Sequence, residues 1–103
     1  MEEDTRKEEM DIIINDSFKE LSYALSKASD PELIGEFLEE LFTPTELKEM
    51  ALRWALVREL EDGVTQREIA RKLGLSLCKI TRGSRELKKE NSAFRQMIRL
   101  SKT

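Results

Sequence analysis

TQREIARKLGLSLCKITRGSRELKK, residues 65–89, reads as two short amphipathic helices joined by a tight turn. Thr65 and Glu68 have the spacing of a capping box, in which a hydroxyl and a glutamate three residues on satisfy each other's free backbone amides. Gly74 ends that helix, because glycine reaches the left-handed conformation at little cost. Ser76 caps the next helix, Leu77 to about Lys89. Short helices cross steeply through such a turn only where several positions obey steric demands. Ile69, Leu73, Leu75 and Ile80 supply a small shared core, Ala70 is the small residue at the closest approach, and Gly74 lies at the turn. An ordinary helical hairpin needs the apolar residues but not that alanine and glycine, so the pattern points to a helix-turn-helix.

A recognition helix lying in the major groove shows its first turn to base edges and its flanks to phosphates. Leu77, Cys78, Lys79 and Thr81 occupy that turn and its margin. Gln66 and Arg67, at the start of the preceding helix, reach the backbone or a guanine edge. Arg71, Lys72, Arg85, Lys88 and Lys89 are candidates for neutralising phosphates, which gives affinity without sequence information. A solvated helix face accounts equally well for any one of these cations. Cys78 reads as a small apolar contact rather than a reactive thiol.

The charge distribution agrees with a basic head on an acidic body. The 103 residues carry a net charge of −3. Residues 1–62 hold 7 Lys/Arg against 18 Asp/Glu, a net of −11, and residues 63–103 hold 11 against 3, a net of +8. Such an asymmetry is an electrostatic footprint for phosphate, although two opposite faces attracting within one fold would produce it too. One cysteine and no histidine exclude an internal disulfide and argue against a metal site. No nucleophile stands at useful spacing from a base, so an enzyme is not expected. No apolar run approaches the roughly 18 residues needed to cross a bilayer, and the N-terminus shows no cleavable leader pattern. The expected location is the cytoplasm.

Outside the head the periodicity is helical throughout, and the expected fold class is all-α with six helices. Residues 1–9 are almost entirely charged and are expected to form a mobile acidic arm. One helical domain is expected over residues 10–103. Ile14, Phe18, Leu21, Leu25 and Ala28 recur at steps of four and three as one helix stripe. Asp30-Pro31 restarts a second helix with Leu33, Phe37, Leu38 and Leu41. Thr43-Pro44-Thr45-Glu46 opens a third, running to Asp62 with Leu47, Met50, Ala51, Trp54, Val57 and Leu60 inward. Asn91 or Ser92 starts a sixth, carrying Phe94, Met97 and Ile98.

Gly83 breaks the apolar pattern inside the fifth helix, where glycine costs about 1 kcal/mol relative to alanine. Either something approaches the backbone there or the glycine serves helix packing. Arg82 precedes it, and Arg53 stands on the third helix. Two guanidinium planes beside a surface without a side chain suit a flat ligand and its carboxylate.

Gln66-Arg67-Glu68, Gly74, Ile80-Thr81-Arg82-Gly83-Ser84 and Leu87-Lys88, with Thr43-Pro44 and Arg53 upstream, resemble the tryptophan operon repressor family. The resemblance covers about Leu41 to Lys89. It implies six helices interlocked with those of a second subunit in a homodimer, and a repressor of tryptophan biosynthesis or uptake genes. It also implies L-tryptophan as corepressor, with no other cofactor. Arg53 and Arg82 would sandwich the indole, and Arg53, Arg82 and Thr43 would hold the carboxylate. Gly83 would admit the ring, and main-chain carbonyls near Glu40 and Phe42 would receive the ammonium. The bound amino acid would wedge each head outward to meet successive major grooves of palindromic double-stranded DNA.

Two departures stand out. The family usually has a serine where this chain has Glu86, near the ligand's amino group. The connection Gly63-Val64-Thr65 is one residue shorter than in the best-known repressors. Both leave open a repressor-like regulator with another effector or none. A third reading is a protein-interaction module whose basic half docks an acidic partner.

Overall fold

The structure, a computed structural model, describes residues 2–103. They form six helices with no strand among them: α1 (Glu2–Lys27), α2 (Pro31–Leu41), α3 (Pro44–Glu61), α4 (Gln66–Leu73), α5 (Leu77–Lys88) and α6 (Ala93–Ser101). This is the expected all-α class. The helices fall into two compact units, the first ending at Phe42 and the second running Thr43–Thr103.

In the first unit, residues 2–9 are helical and continue α1, so the helix starts well before the expected position. Glu2, Glu3 and Asp4 occupy its first turn, where negative charge complements the helix dipole. Asp30 caps α2 by accepting the Glu32 amide at 3.0 Å, with Pro31 in the first helical position, which needs no amide. Neither helix contains a buried residue. Ile14 and Phe18, expected on an inward stripe, are 59% and 68% exposed. Farther along, Leu25, Ala28, Leu33, Ile34 and Phe37 line an apolar crevice of about 210 Å³.

The second unit has its own core: Leu56, Val57, Ile69, Ile80, Leu87 and Ile98, with Trp54, Leu60, Val64, Ala70, Leu73, Leu75 and Phe94 packed against it. α3 is the central element and contacts α4, α5 and α6. Its apolar residues lie on more than one face, which explains two misreadings. Ala51, expected inward, is exposed, and Leu56, not singled out, is only 2% exposed. The capping box of α3 is complete: Thr43 accepts the Glu46 amide at 3.2 Å and the Glu46 carboxylate accepts the Thr43 amide at 2.9 Å. The helix stops at Glu61, and Gly63 (φ +86°) turns the chain so that the Val64 amide bonds back to the Glu59 carbonyl at 3.0 Å.

Ser92 caps α6, accepting the Arg95 amide at 3.2 Å. Trp54 and Phe94 stack with centroids 5.8 Å apart. Arg95 ties three helices together, donating to Glu61 of α3 at 3.3 Å and to the Leu87 carbonyl of α5.

Candidate nucleic-acid interface and ligand cavity

The head is made by α4, the turn Gly74-Leu75-Ser76, and α5. Gly74 adopts φ 63°, ψ 31°, and its amide donates to the Ala70 carbonyl at 3.0 Å, closing α4 in the left-handed conformation. Ile69 and Ile80 are fully buried between α3, α4 and α5, with Leu73, Leu75 and Ala70 around them. Thr65 caps α4 by accepting the Glu68 amide at 3.2 Å. The reciprocal half of the expected box does not form, because the Glu68 carboxylate pairs with Arg71 instead. That hydrogen bond holds the Glu68 carboxyl below its ordinary value and raises Arg71.

The first turn of α5 faces outward. Leu77 is 63% exposed, and Cys78, Lys79 and Thr81 are exposed beside it. The Thr81 hydroxyl donates to the Leu77 carbonyl at 2.9 Å, which leaves its oxygen able to accept a further bond. Gln66, Arg67, Arg85 and Lys88 are also exposed.

The candidate phosphate ligands divide by partner. Arg71 with Glu68, and Lys89 with Glu86 at 2.7 Å, form exposed pairs one helical turn apart, the kind that exchanges readily with solvent or phosphate. Lys72 differs. Its ammonium lies 2.6 Å from Glu59 of α3, whose side chain is only 12% exposed, so this pair braces α4 against α3. Among the described residues the other Glu59 oxygen is buried without a hydrogen-bond partner, which makes the lysine its main compensation.

Behind α5 lies a cavity of about 490 Å³, within the size range of small-molecule sites. Leu52, Leu56, Val57, Leu75 and Phe94 give it an apolar lining. Its charged rim comes from two helices. α3 contributes Glu49 and Arg53, one turn apart, and α5 contributes Lys79, Arg82 and Glu86. Among the described residues neither Arg53 nor Arg82 forms an ion pair. Two unquenched guanidinium groups beside an apolar space suit a flat ligand carrying an anionic group.

Gly83 is buried on this wall, and its role in packing is explicit. A Cβ there would lie 3.3 Å from Leu56 Cδ2 and from Val57 Cγ2. The missing side chain thus lets α5 approach α3, while the residue also lines the cavity.

Arg53, Arg82, Gly83 and Glu86 therefore meet on one cavity. Thr43 does not line it and serves as the cap of α3. Glu40 and Phe42 belong to the first unit, whereas the lining comes from the second. Glu49 on the cavity rim, and the place of the exposed Lys79 at the edge of that rim, escaped the sequence reading. The available signal was their helical spacing from Arg53 and Arg82, which becomes informative once the α3–α5 pairing is known.

Among the described residues no helix is long and apolar enough to cross a membrane. Residues 16–102 match the family described as Trp repressor protein. The chain is 39% identical over 75 residues to a Trp operon repressor homolog of Chlamydia caviae, covering 72% of this chain and 74% of that one. It is 41% identical over 68 residues to a Trp operon repressor homolog of Chlamydia trachomatis serovar D, covering 61% and 72%. A Trp operon repressor homolog of Vibrio parahaemolyticus is 38% identical over 61 residues, covering 58% and 59%. No solved structure matches the chain.

Proposed function

This chain belongs to the Trp repressor protein family, and on that premise we propose that it is a homodimeric, cytoplasmic transcriptional repressor that binds palindromic double-stranded DNA when L-tryptophan fills the cavity between α3 and α5. The observation that carries the reading is the position of that cavity: Arg53 of α3 and Arg82 and Gly83 of α5 line one space directly behind the recognition helix. A ligand touching both helices favours whichever α5 orientation gives it the better contacts, and occupancy shifts the population toward that orientation.

On DNA, Leu77, Cys78, Lys79 and Thr81 meet base edges, with Leu77 suited to a thymine methyl. Gln66 and Arg67 reach the backbone or a guanine, and Arg71, Arg85 and Lys88 neutralise phosphates. Lys72 takes a lesser part because it braces Glu59. In a dimer the two α5 helices would enter successive major grooves, at the spacing of about 34 Å known for helix-turn-helix dimers, the Trp repressor among them. The dimer is supported by the apolar surface of α1, where Ile13, Ile14, Phe18 and Tyr23 are exposed in the single chain. The role is regulatory, with tryptophan as ligand and no catalytic cofactor.

Calorimetric titration of the full chain with L-tryptophan tests the effector. A saturable heat is expected, weakened at least about tenfold in Arg82→Ala through loss of a charge-assisted contact. Heat indistinguishable from buffer in the unmutated chain eliminates tryptophan.

Glu86 on the cavity wall favours a second reading, in which the repressor answers to a different effector or to none. It predicts retardation of operator DNA that is indifferent to tryptophan.

A further inference from the structure

α3 and α4 open with the same Thr-x-x-Glu spacing, yet only one of them closes its capping box. In α3 the Glu46 carboxylate accepts the Thr43 amide at 2.9 Å. In α4 the Thr65 hydroxyl accepts the Glu68 amide, while the exposed Thr65 amide has no hydrogen-bond partner among the described residues. The difference lies one helical turn on. Three residues after Glu46 stands Glu49, whereas three residues after Glu68 stands Arg71. Arg71 holds the Glu68 carboxylate as a fork, its Nε donating to one oxygen at 3.1 Å and its Nη2 to the other. Lys72, the next cation along α4, is engaged 2.6 Å from Glu59. Glu68 therefore has two alternative partners, the Arg71 guanidinium and the open Thr65 amide. Its side chain is 44% exposed and free to rotate between them.

Arg71 is one of the cations assigned to DNA phosphates, and its side chain is 71% exposed. A phosphate taking the same face of the guanidinium displaces the carboxylate, and one taking the other face lies close to a like charge. A carboxylate that folds back to the helix start escapes that repulsion and gains both an amide and the positive end of the helix dipole. Resting on the assignment of the head to DNA, we infer that Glu68 is a positioning residue that gates Arg71. It holds the guanidinium in the free chain and, when phosphate takes the guanidinium, moves to the Thr65 amide and completes the capping box of α4. Opening the pair weakens each phosphate encounter of Arg71, and closing the box fixes the turn that carries Gln66 and Arg67.

The test uses the full chain with L-tryptophan and a random-sequence duplex pool at low ionic strength. In isotope-labelled protein the Thr65 amide should exchange quickly with solvent when free and several times more slowly with duplex bound. The Thr43 amide, already capped, serves as the internal control. Glu68→Ala, which has no acceptor at that position, should lack the added protection. Affinity for the pool then closes a double-mutant cycle. Glu68→Gln keeps an acceptor for the Thr65 amide and loses the charged hold on Arg71, so it should tighten binding by about two- to fivefold, the worth of an exposed ion pair. The same change made on Arg71→Gln should gain nothing, since no guanidinium is left to release. A carboxylate that merely repels DNA at a distance would give equal gains on both backgrounds. A thermal melt of each variant establishes that it is folded, and the Thr65 reading on the unmutated chain needs no variant.

A Thr65 amide that exchanges equally fast with and without duplex overturns the inference. So does protection that survives in Glu68→Ala, or a Glu68→Gln gain that persists on Arg71→Gln. Those results leave the DNA-binding reading standing. Failure of the unmutated chain to bind duplex at all removes that reading and this inference with it.

Discussion

Replacing Gly83 by alanine sets helix propensity against packing. In an unconstrained helix interior the change stabilises by about 1 kcal/mol. Here the added methyl group lies 3.3 Å from Leu56 Cδ2 and Val57 Cγ2, and 3.4 Å from Leu56 Cγ, so its neighbours must yield by a few tenths of an ångström. Both are buried. Val57 is β-branched and restricted to one favoured rotamer in a helix, so it cannot swing aside, and relief requires α3 and α5 to separate. Overpacking of this kind costs about 1–3 kcal/mol. Set against the propensity gain, the expected outcome is a net loss of about 1 kcal/mol, or roughly 4–8 °C in Tm for a chain of this size. The assay is thermal unfolding followed by far-ultraviolet circular dichroism at fixed protein concentration, since a dimer's Tm depends on concentration. A Gly83→Ala protein melting above the unmutated chain would refute the packing argument and return the glycine to a purely ligand-facing role.

Gly74→Ala forces a Cβ into φ +63° and should lower stability by about 1–2 kcal/mol in urea unfolding, with no packing clash to add to it. Thr43→Ala removes the cap and half of the capping box of α3, at a cost of about 1 kcal/mol. The same box makes this helix start sensitive to acid. Backbone and side-chain hydrogen bonds with Thr43 depress the Glu46 carboxyl, so its contribution is fully present above the ordinary carboxylate value and is lost as pH falls through the depressed one. The decline in Tm on acidification should be shallower in Thr43→Ala, and an unchanged profile would contradict the assignment. Lys72→Ala leaves the mostly covered Glu59 without its ion-pair partner and should destabilise by about 1 kcal/mol. Lys88→Ala, at an exposed position, should stay within about 0.5 kcal/mol in stability while weakening DNA binding and reducing its salt dependence. Equal stability losses in the two variants would show that the Lys72 brace is of no consequence.

The sequence made local signals legible and hid those that depend on distant partners. Thr43, Asp30, Ser76, Ser92 and Gly74 act within a few residues of themselves, and the structure places each at the helix end expected of it. Glu68 had the right spacing for a reciprocal cap, but Arg71, three residues on, captured its carboxylate. Lys72 looked like any other basic residue because its partner, Glu59, is on another helix. The start of α1 was missed because charged residues without an apolar stripe give no periodicity, although their negative charge suits a helix N-terminus. Leu56 was missed because apolar residues on several faces of α3 give no single stripe to follow. Of the cavity, Arg53, Arg82 and Gly83 could be singled out by residue type. The position of Glu49 on the same rim required knowing that α3 and α5 cross there.

The most direct test of the central claim is selection of bound duplexes from a random oligonucleotide pool by the full chain, run side by side with and without L-tryptophan at low ionic strength. The account predicts enrichment of a palindromic sequence with half-sites about one helical turn apart, present with tryptophan and lost without it or in Arg82→Ala. A pool that shows no enriched sequence under either condition would contradict it.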